Sequence, residues 1–202
     1  MRMAERLKES YSAAGQFPVK LLHAAPCVGK LIRPAHVQLS PTNTCNLACS
    51  FCSCDDRDHS HQMDIEDISA ALRTFAGLGC LAVTITGGGE PLLYPDIGRL
   101  LQTCVELGIA PGLVTNGELL GDAPEEIAHC VWVRASLSDE RDLSPIEAGL
   151  RSVRRRFPHV DLAISYVVSR FPQLENIALA IRFTQSEGLT HIRIVHDLVD
   201  LP

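Results

Sequence analysis

The sequence predicts an α/β protein built on a parallel sheet, and three observations carry that expectation. Short β-like runs alternate with helical patterns from His36 onward, as repeated βα units require. Glycines and capping-type spacings fall between them. The runs also stay short enough to be strands buried on both faces.

The expected strands cover residues 36–40, 81–86, 110–115, 131–137, 162–169 and 191–198. Between the first two, Ile65, Ile68, Leu72 and Phe75 recur at helical spacing, and Ile97, Leu100, Leu101, Cys104 and Val105 do the same after the second. Asp122 with Glu125, and Ser144 with Glu147, have capping-box spacing, with Pro124 and Pro145 early in the first turn. Gly108 and Gly188 stand where helices should stop, because glycine enters the left-handed conformation at little cost. The chain closes at Pro202, after the sixth strand. A last helix is therefore expected to be missing here, and the N-terminal extension, an oligomer partner or a further C-terminal segment would have to cover that strand. Residues 1–34 read as an N-terminal extension and 35–202 as one core domain.

At 202 residues, 46% apolar and 21% charged, the chain can bury an ordinary core. Its net charge of -6 argues against a broad nucleic-acid surface. Arg2, Arg6, Lys8, Lys20, Lys30 and Arg33 make the start basic, which reads as a solvated leader or helix. No apolar run approaches the roughly 20 residues of a membrane span, and no signal peptide is visible. A cytoplasmic protein is expected. In a reducing compartment, the eight cysteines point to metal or catalytic roles rather than disulfides.

Cys45, Cys49 and Cys52 fall within eight residues, on the loop after the first strand. Thiolates select zinc or iron–sulfur centres. A structural zinc site takes four ligands, and an ordinary [4Fe–4S] cluster takes four cysteines. Three without an obvious fourth suggest a cubane with one open iron. A zinc knuckle completed by Cys54, His59 or His61 stays open, as do incidental cysteines. Cys27, Cys80, Cys104 and Cys130 are scattered, and Cys104 on its apolar stripe reads as core packing. The second strand runs into Gly87-Gly88-Gly89-Glu90-Pro91. It lacks the third glycine of a dinucleotide turn and the lysine of a P-loop. Either a plain tight turn or a close backbone approach to a ligand fits it.

Taken together, these motifs are similar to those of the radical S-adenosylmethionine (radical SAM) superfamily. Thr44-Cys45-Asn46-Leu47-Ala48-Cys49-Ser50-Phe51-Cys52 resembles its cysteine signature, and Gly88-Gly89-Glu90-Pro91 its methionine-binding loop. Thr115-Asn116-Gly117 and Ser136-Leu137-Ser138-Asp139 resemble segments of its molybdenum-cofactor and peptide-maturase branches, with Ser138 in place of an aspartate. The resemblance spans about residues 36–199. It implies a partial (β/α)6 barrel with the site at the C-terminal strand ends. It also implies a [4Fe–4S] cluster and S-adenosylmethionine as cofactors, with an electron donor such as a flavodoxin or ferredoxin. The implied activity is reductive cleavage of S-adenosylmethionine to a 5′-deoxyadenosyl radical.

By position, Cys45, Cys49 and Cys52 would hold the cluster. Phe51 would pack near the adenine, and Gly88, Gly89 and Glu90 would meet the methionine amino group. Ser136 would contact the ribose or carboxylate, and His196 would wall the adenine or stand as a surface histidine. Arg134 and Tyr166 would either face the barrel interior, toward substrate, or lie outside it, Arg134 then in an ion pair. Residues 55–61 read as an exposed loop, with substrate contact or a Cys54 ligand as the alternative. A non-catalytic zinc or iron–sulfur interaction module is the rival function. The substrate does not follow.

Overall fold

The computed structural model describes residues 34–169 and 171–197. The expected N-terminal extension, its basic residues and Cys27 lie outside the described residues, as does Leu198 of the last predicted strand.

Six parallel strands form one sheet in the order β1-β2-β3-β4-β5-β6. They are β1 (His36–Leu39), β2 (Ala82–Ile85), β3 (Ala110–Thr115), β4 (Trp132–Ser138), β5 (Asp161–Val168) and β6 (His191–His196). Consecutive neighbours and parallel pairing make the parallel sheet that the βα alternation predicts and the open, partial TIM-like barrel that the family resemblance implies. Among the described residues, four helices cover its outer face: α1 (Ile65–Gly77), α2 (Ile97–Glu106), α3 (Ser144–Arg156) and α4 (Leu174–Ser186). The core lies between the two layers. Val83, Ile85, Leu113, Val133, Leu162 and Ile164 from the strands are buried there against Ile68, Leu72, Leu100, Leu101, Leu150 and Val153 from the helices.

Local chemistry explains the helix limits. Asp64 caps α1 by accepting the Glu66 N–H at 2.7 Å. Gly79, Gly108 and Gly188 follow α1, α2 and α4 with φ of 89°, 69° and 60°. There the left-handed turn lets trailing N–H groups return to the last helical carbonyls, as when Ile109 donates to Cys104 at 2.8 Å.

The structure corrects both expected capping boxes. Ser144 lies inside α3, whose cap position is Leu143, and it caps nothing. Its N–H and hydroxyl both donate to Asp142, each at 2.9 Å. The stronger carboxylate acceptor two residues upstream has taken the role. Between β3 and β4, two short 3-10 turns, Leu120–Asp122 and Glu125–His129, replace a full helix. Pro124 sits extended at the cap of the second, with φ -64° and ψ 161°, and so leaves Asp122 in the preceding turn.

Beyond β6 no covering helix stands among the described residues, and Ile194 is 52% exposed.

Candidate active site

The cysteine loop leaves β1 and is pinned to the sheet along both flanks. Asn43 N–H reaches the His61 carbonyl at 2.9 Å, Met63 N–H reaches Pro41 at 2.9 Å, and Thr42 pairs with Gln62 in an isolated antiparallel bridge. From β2, Gly89 N–H donates to Thr42 at 2.9 Å and Glu90 N–H to Thr44 at 2.8 Å. The glycines make this contact possible. A Cβ on Gly89 would lie 2.1 Å from the Thr44 carbonyl oxygen, and one on Gly88 would lie 2.2 Å from Asn43 Oδ1. The triple glycine therefore brings the β2 end against the cysteine loop, main chain to main chain.

Glu90 is 1% exposed, and its carboxylate is already engaged. Oε1 accepts from Leu92 N–H at 3.0 Å and the Thr115 hydroxyl at 2.7 Å, and Oε2 accepts from Asn116 N–H at 2.6 Å. Burial pushes the Glu90 carboxyl up, against the lowering effect of these three bonds. Glu90 thus ties the β2 end to the β3 end, and Oε2 keeps a lone pair for one further donor. Asn116 extends the tie to the cysteine loop by donating from Nδ2 to Asn46 Oδ1 at 2.7 Å.

Two residues that the sequence reading left aside support the loop. Arg57, within the expected exposed loop, is only half-buried at its rim position, yet it donates from Nε to the Asn43 carbonyl at 3.0 Å and from Nη1 to Cys52 Sγ at 3.3 Å, with a further bond to the Cys54 carbonyl. Arg141 bonds the Ser136 carbonyl and pairs with Glu118 at 2.7 Å, while its neighbour Glu140 takes the Ser50 hydroxyl. Burial raises the Cys49 thiol; Arg141 opposes this, and Cys45, Cys52 and Glu140 reinforce it. His59 and His61 are exposed, and the Cys54 thiol meets Ser53 Oγ at 3.9 Å.

A cleft of about 180 Å³ opens between these parts, lined by Cys45, Gly87, Gly89, Glu90, Val114, Asn116 and Ser136. A larger cavity of about 330 Å³ lies between the β4 end and α3, around Ser138, Glu147 and Leu179. It holds no thiol, so the smaller cleft is the candidate site. Gly88 and Phe51 border the cysteine loop without lining the cleft. His196 falls outside it. His196 pairs with Val168 at the end of β6 and is exposed, so strand alternation sets it with Ile192 and Ile194 rather than on the cleft side.

Tyr166 takes the outer of its two expected placements. It is fully buried on the helix side, with Leu162 and Ile164, because alternation along β5 turns Ala163 and Ser165 inward instead. Its hydroxyl donates to Asp139 Oδ1 at 2.8 Å. Asp139 also accepts Gln173 N–H at 3.1 Å and both the N–H and hydroxyl of Ser169 at 2.9 Å. Burial alone would raise its pKa, but the combined bonds hold the carboxyl below the ordinary aspartate range. A depressed folded pKa stabilises the fold above the unfolded value near 3.9, and that stability is lost as pH falls through the folded value. Denaturant unfolding is expected to show this loss below about pH 3.9 in the wild type. Asp139→Asn should be weaker by about 3 kcal/mol at pH 7, with a smaller acid-dependent component.

The description of the radical SAM superfamily matches residues 39–140, just over half of the chain, from the end of β1 through the β4 loop. The chain belongs to this superfamily. A GTP 3′,8-cyclase of Chlorobaculum tepidum is 27% identical over 157 residues, covering 77% of this radical SAM chain and 42% of the cyclase. A 7-carboxy-7-deazaguanine synthase of Halobacterium salinarum is 27% identical over 207 residues, covering 90% of the chain and 78% of the synthase. Streptococcus suis SuiB, in a crystal structure with its precursor peptide SuiA, shares the fold, with a TM-score of 0.69 and 21% identity over 88% of this chain and 42% of SuiB. The chain thus spans under half the length of the cyclase and of SuiB.

Radical SAM proteins use a [4Fe–4S] cluster and S-adenosylmethionine. A donor set of three free thiols in one loop suits the soft ligation of the cluster. Cys45, Cys49 and Cys52 raise one another's cost of ionisation at Cys49, a repulsion that a cationic centre relieves. Among the described residues, no three His, Cys, Asp or Glu side chains crowd together as the ligands of a single ion do. No described helix is long and apolar enough to cross a membrane.

Proposed function

We propose that this chain is the catalytic core of a radical SAM enzyme in which Cys45, Cys49 and Cys52 ligate three irons of a [4Fe–4S] cluster. One observation carries the reading: the Gly89 and Glu90 N–H bonds, at 2.9 and 2.8 Å, lock the loop that bears Cys45 over the cleft that Gly87, Glu90 and Ser136 share. Held by Cys45, Cys49 and Cys52, the cluster would supply the electron for reductive cleavage of S-adenosylmethionine, and with it the chemistry of hydrogen abstraction from a substrate.

The chain's own residues bind, orient and shield. The free lone pair on Glu90 Oε2 and the carbonyls of the glycine turn face an ammonium group. Ser136 offers a hydroxyl to ribose or carboxylate, and Phe51 an aromatic edge beside the cluster loop. Gly88 and Gly89 act by letting the loops meet. Arg57 donates to the Cys52 sulfur and so holds it in orientation. A flavodoxin or ferredoxin in a reducing, cytoplasmic setting supplies the electron.

Anaerobic reconstitution with iron and sulfide tests this. The expected result is a brown protein with about four irons per chain that releases 5′-deoxyadenosine and methionine from S-adenosylmethionine under dithionite. A colourless protein holding stoichiometric zinc and inert toward S-adenosylmethionine would overturn it.

A further inference from the structure

Below the rim, the concave wall of β4 to β6 carries bases that the cysteine loop and the cleft do not use. Val133, Ala135 and Leu137 are buried against the helices, so alternation turns Trp132, Arg134 and Ser136 to the concave face. The Trp132 ring lies across Gly112, where an added Cβ would come within 2.1 Å of Cε2. The Arg134 guanidinium carbon stands 5.3 Å from the centre of that ring.

Register brings two more bases alongside. Arg134 lies opposite Ala163 and Ala163 opposite His191; one pleat further, Ser136 lies opposite Ser165 and Ser165 opposite Arg193. The middle strand thus presents only small side chains between the flanking bases. Among the described residues, neither Arg134 nor Arg193 has an ion-pair partner. Arg134 Nε and His191 Nδ1 are buried without a hydrogen-bond partner. Burial, then Arg193, lowers the Arg134 pKa, and burial, then Arg134 and Arg193, lowers that of His191.

A half-buried guanidinium whose Nε is buried without a partner is costly. Its aromatic neighbour offsets part of that cost, and an anion would offset much more. We propose that Arg134, Arg193 and His191 form an anion-binding floor that holds a carboxylate or phosphate of the substrate beneath the S-adenosylmethionine cleft. The guanidinium fork of Arg134 suits either group. Arg134 lies two residues before Ser136 on the same face, about 7 Å along the strand. A small molecule anchored there would present its C–H bonds to the cleft. This assignment rests on the reading of the cleft as the radical-forming site.

The test uses the full chain, reconstituted anaerobically, and titrates it calorimetrically with inorganic pyrophosphate and, separately, with malonate. The wild type is expected to bind at least one of them, and the tighter of the two tells phosphate from carboxylate. Arg193→Met, a change at an exposed position, should weaken that binding by about tenfold, equivalent to about 1.4 kcal/mol. Arg134→Lys keeps the charge but loses the fork, and should weaken it several-fold. Arg73→Met removes an exposed charge on α1 and should leave binding within about twofold, the salt-screened effect of a distant charge.

No binding of either anion to the wild type would overturn the proposal, as would equal weakening by Arg193→Met and Arg73→Met. Release of 5′-deoxyadenosine by the same wild-type sample separates the two readings. Cleavage without anion binding sinks the floor alone, and anion binding without cleavage sinks the radical reading.

Discussion

Gly89→Ala is expected to cost on the order of 3 kcal/mol of stability and to leave the protein unable to retain iron. The added Cβ would sit 2.1 Å from the Thr44 carbonyl oxygen, 2.5 Å from the Asn43 carbonyl carbon and 2.6 Å from that of Thr44. All three are main-chain atoms of the cysteine loop, which cannot rotate aside as a side-chain tip can. Relief would require the two loops to part. That would break the Gly89–Thr42 and Glu90–Thr44 bonds and move Cys45 from the cleft. The cost comes from contact and not from backbone conformation, since Gly89 is not among the glycines with positive φ.

Gly88→Ala should be milder, because its Cβ meets the movable Asn43 side chain at 2.2 Å. Gly77→Ala is the control. Nothing lies within 4 Å of its Cβ at the end of α1, so stability should hold or rise by up to about 1 kcal/mol. Urea denaturation and iron content after reconstitution measure both effects. A stable, iron-loaded Gly89→Ala protein would show that the loops do not meet as described.

Cys49→Ala is expected to abolish iron binding and the visible absorption of the reconstituted protein, whereas Cys54→Ser should retain both. Cys49 lies between Cys45 and Cys52 in the loop and feels the charge of each. Its removal leaves two thiolates, too few to chelate a cubane against competition from water and sulfide. Cys54 contributes differently. Its carbonyl takes the Arg57 guanidinium, and its thiol meets only the neighbouring Ser53 hydroxyl. Serine preserves that backbone bond. If Cys54→Ser lost iron as completely as Cys49→Ala, a four-thiolate centre with no open corner would have to replace the present reading.

Particular elements show why parts of the molecule were legible from the sequence. The 110–115 strand is observed at the predicted bounds because strong punctuation brackets it: Gly108 in the left-handed turn before it and Thr115-Asn116-Gly117 after it, with Gly117 at φ 86°. The capping boxes were misread for an equally local reason. Spacing cannot tell which of several nearby oxygens an N–H will choose, and the Glu147 N–H takes the Leu143 carbonyl at 2.9 Å rather than the Ser144 hydroxyl. Tyr166 stays open between two placements in the sequence because strand phase is uncertain there, and one residue decides between the barrel interior and the helix layer. Arg57 carried no signal beyond its position five residues after Cys52.

The order of strands and helices, the helix stops and the cysteine spacing were settled by the sequence alone. Each depends on periodicity or on residues close together in the chain, which neighbouring side chains specify without help from distant ones. Tertiary structure decided the rest: that the triple glycine meets backbone, that Glu90 and Asp139 spend their carboxylates as fastenings, and that Arg134 joins Arg193 and His191 on one wall. Those outcomes arise where segments tens of residues apart come within hydrogen-bond distance. There the strand register and the space left by small residues such as Gly112 and Ala163, rather than local preference, select the partner.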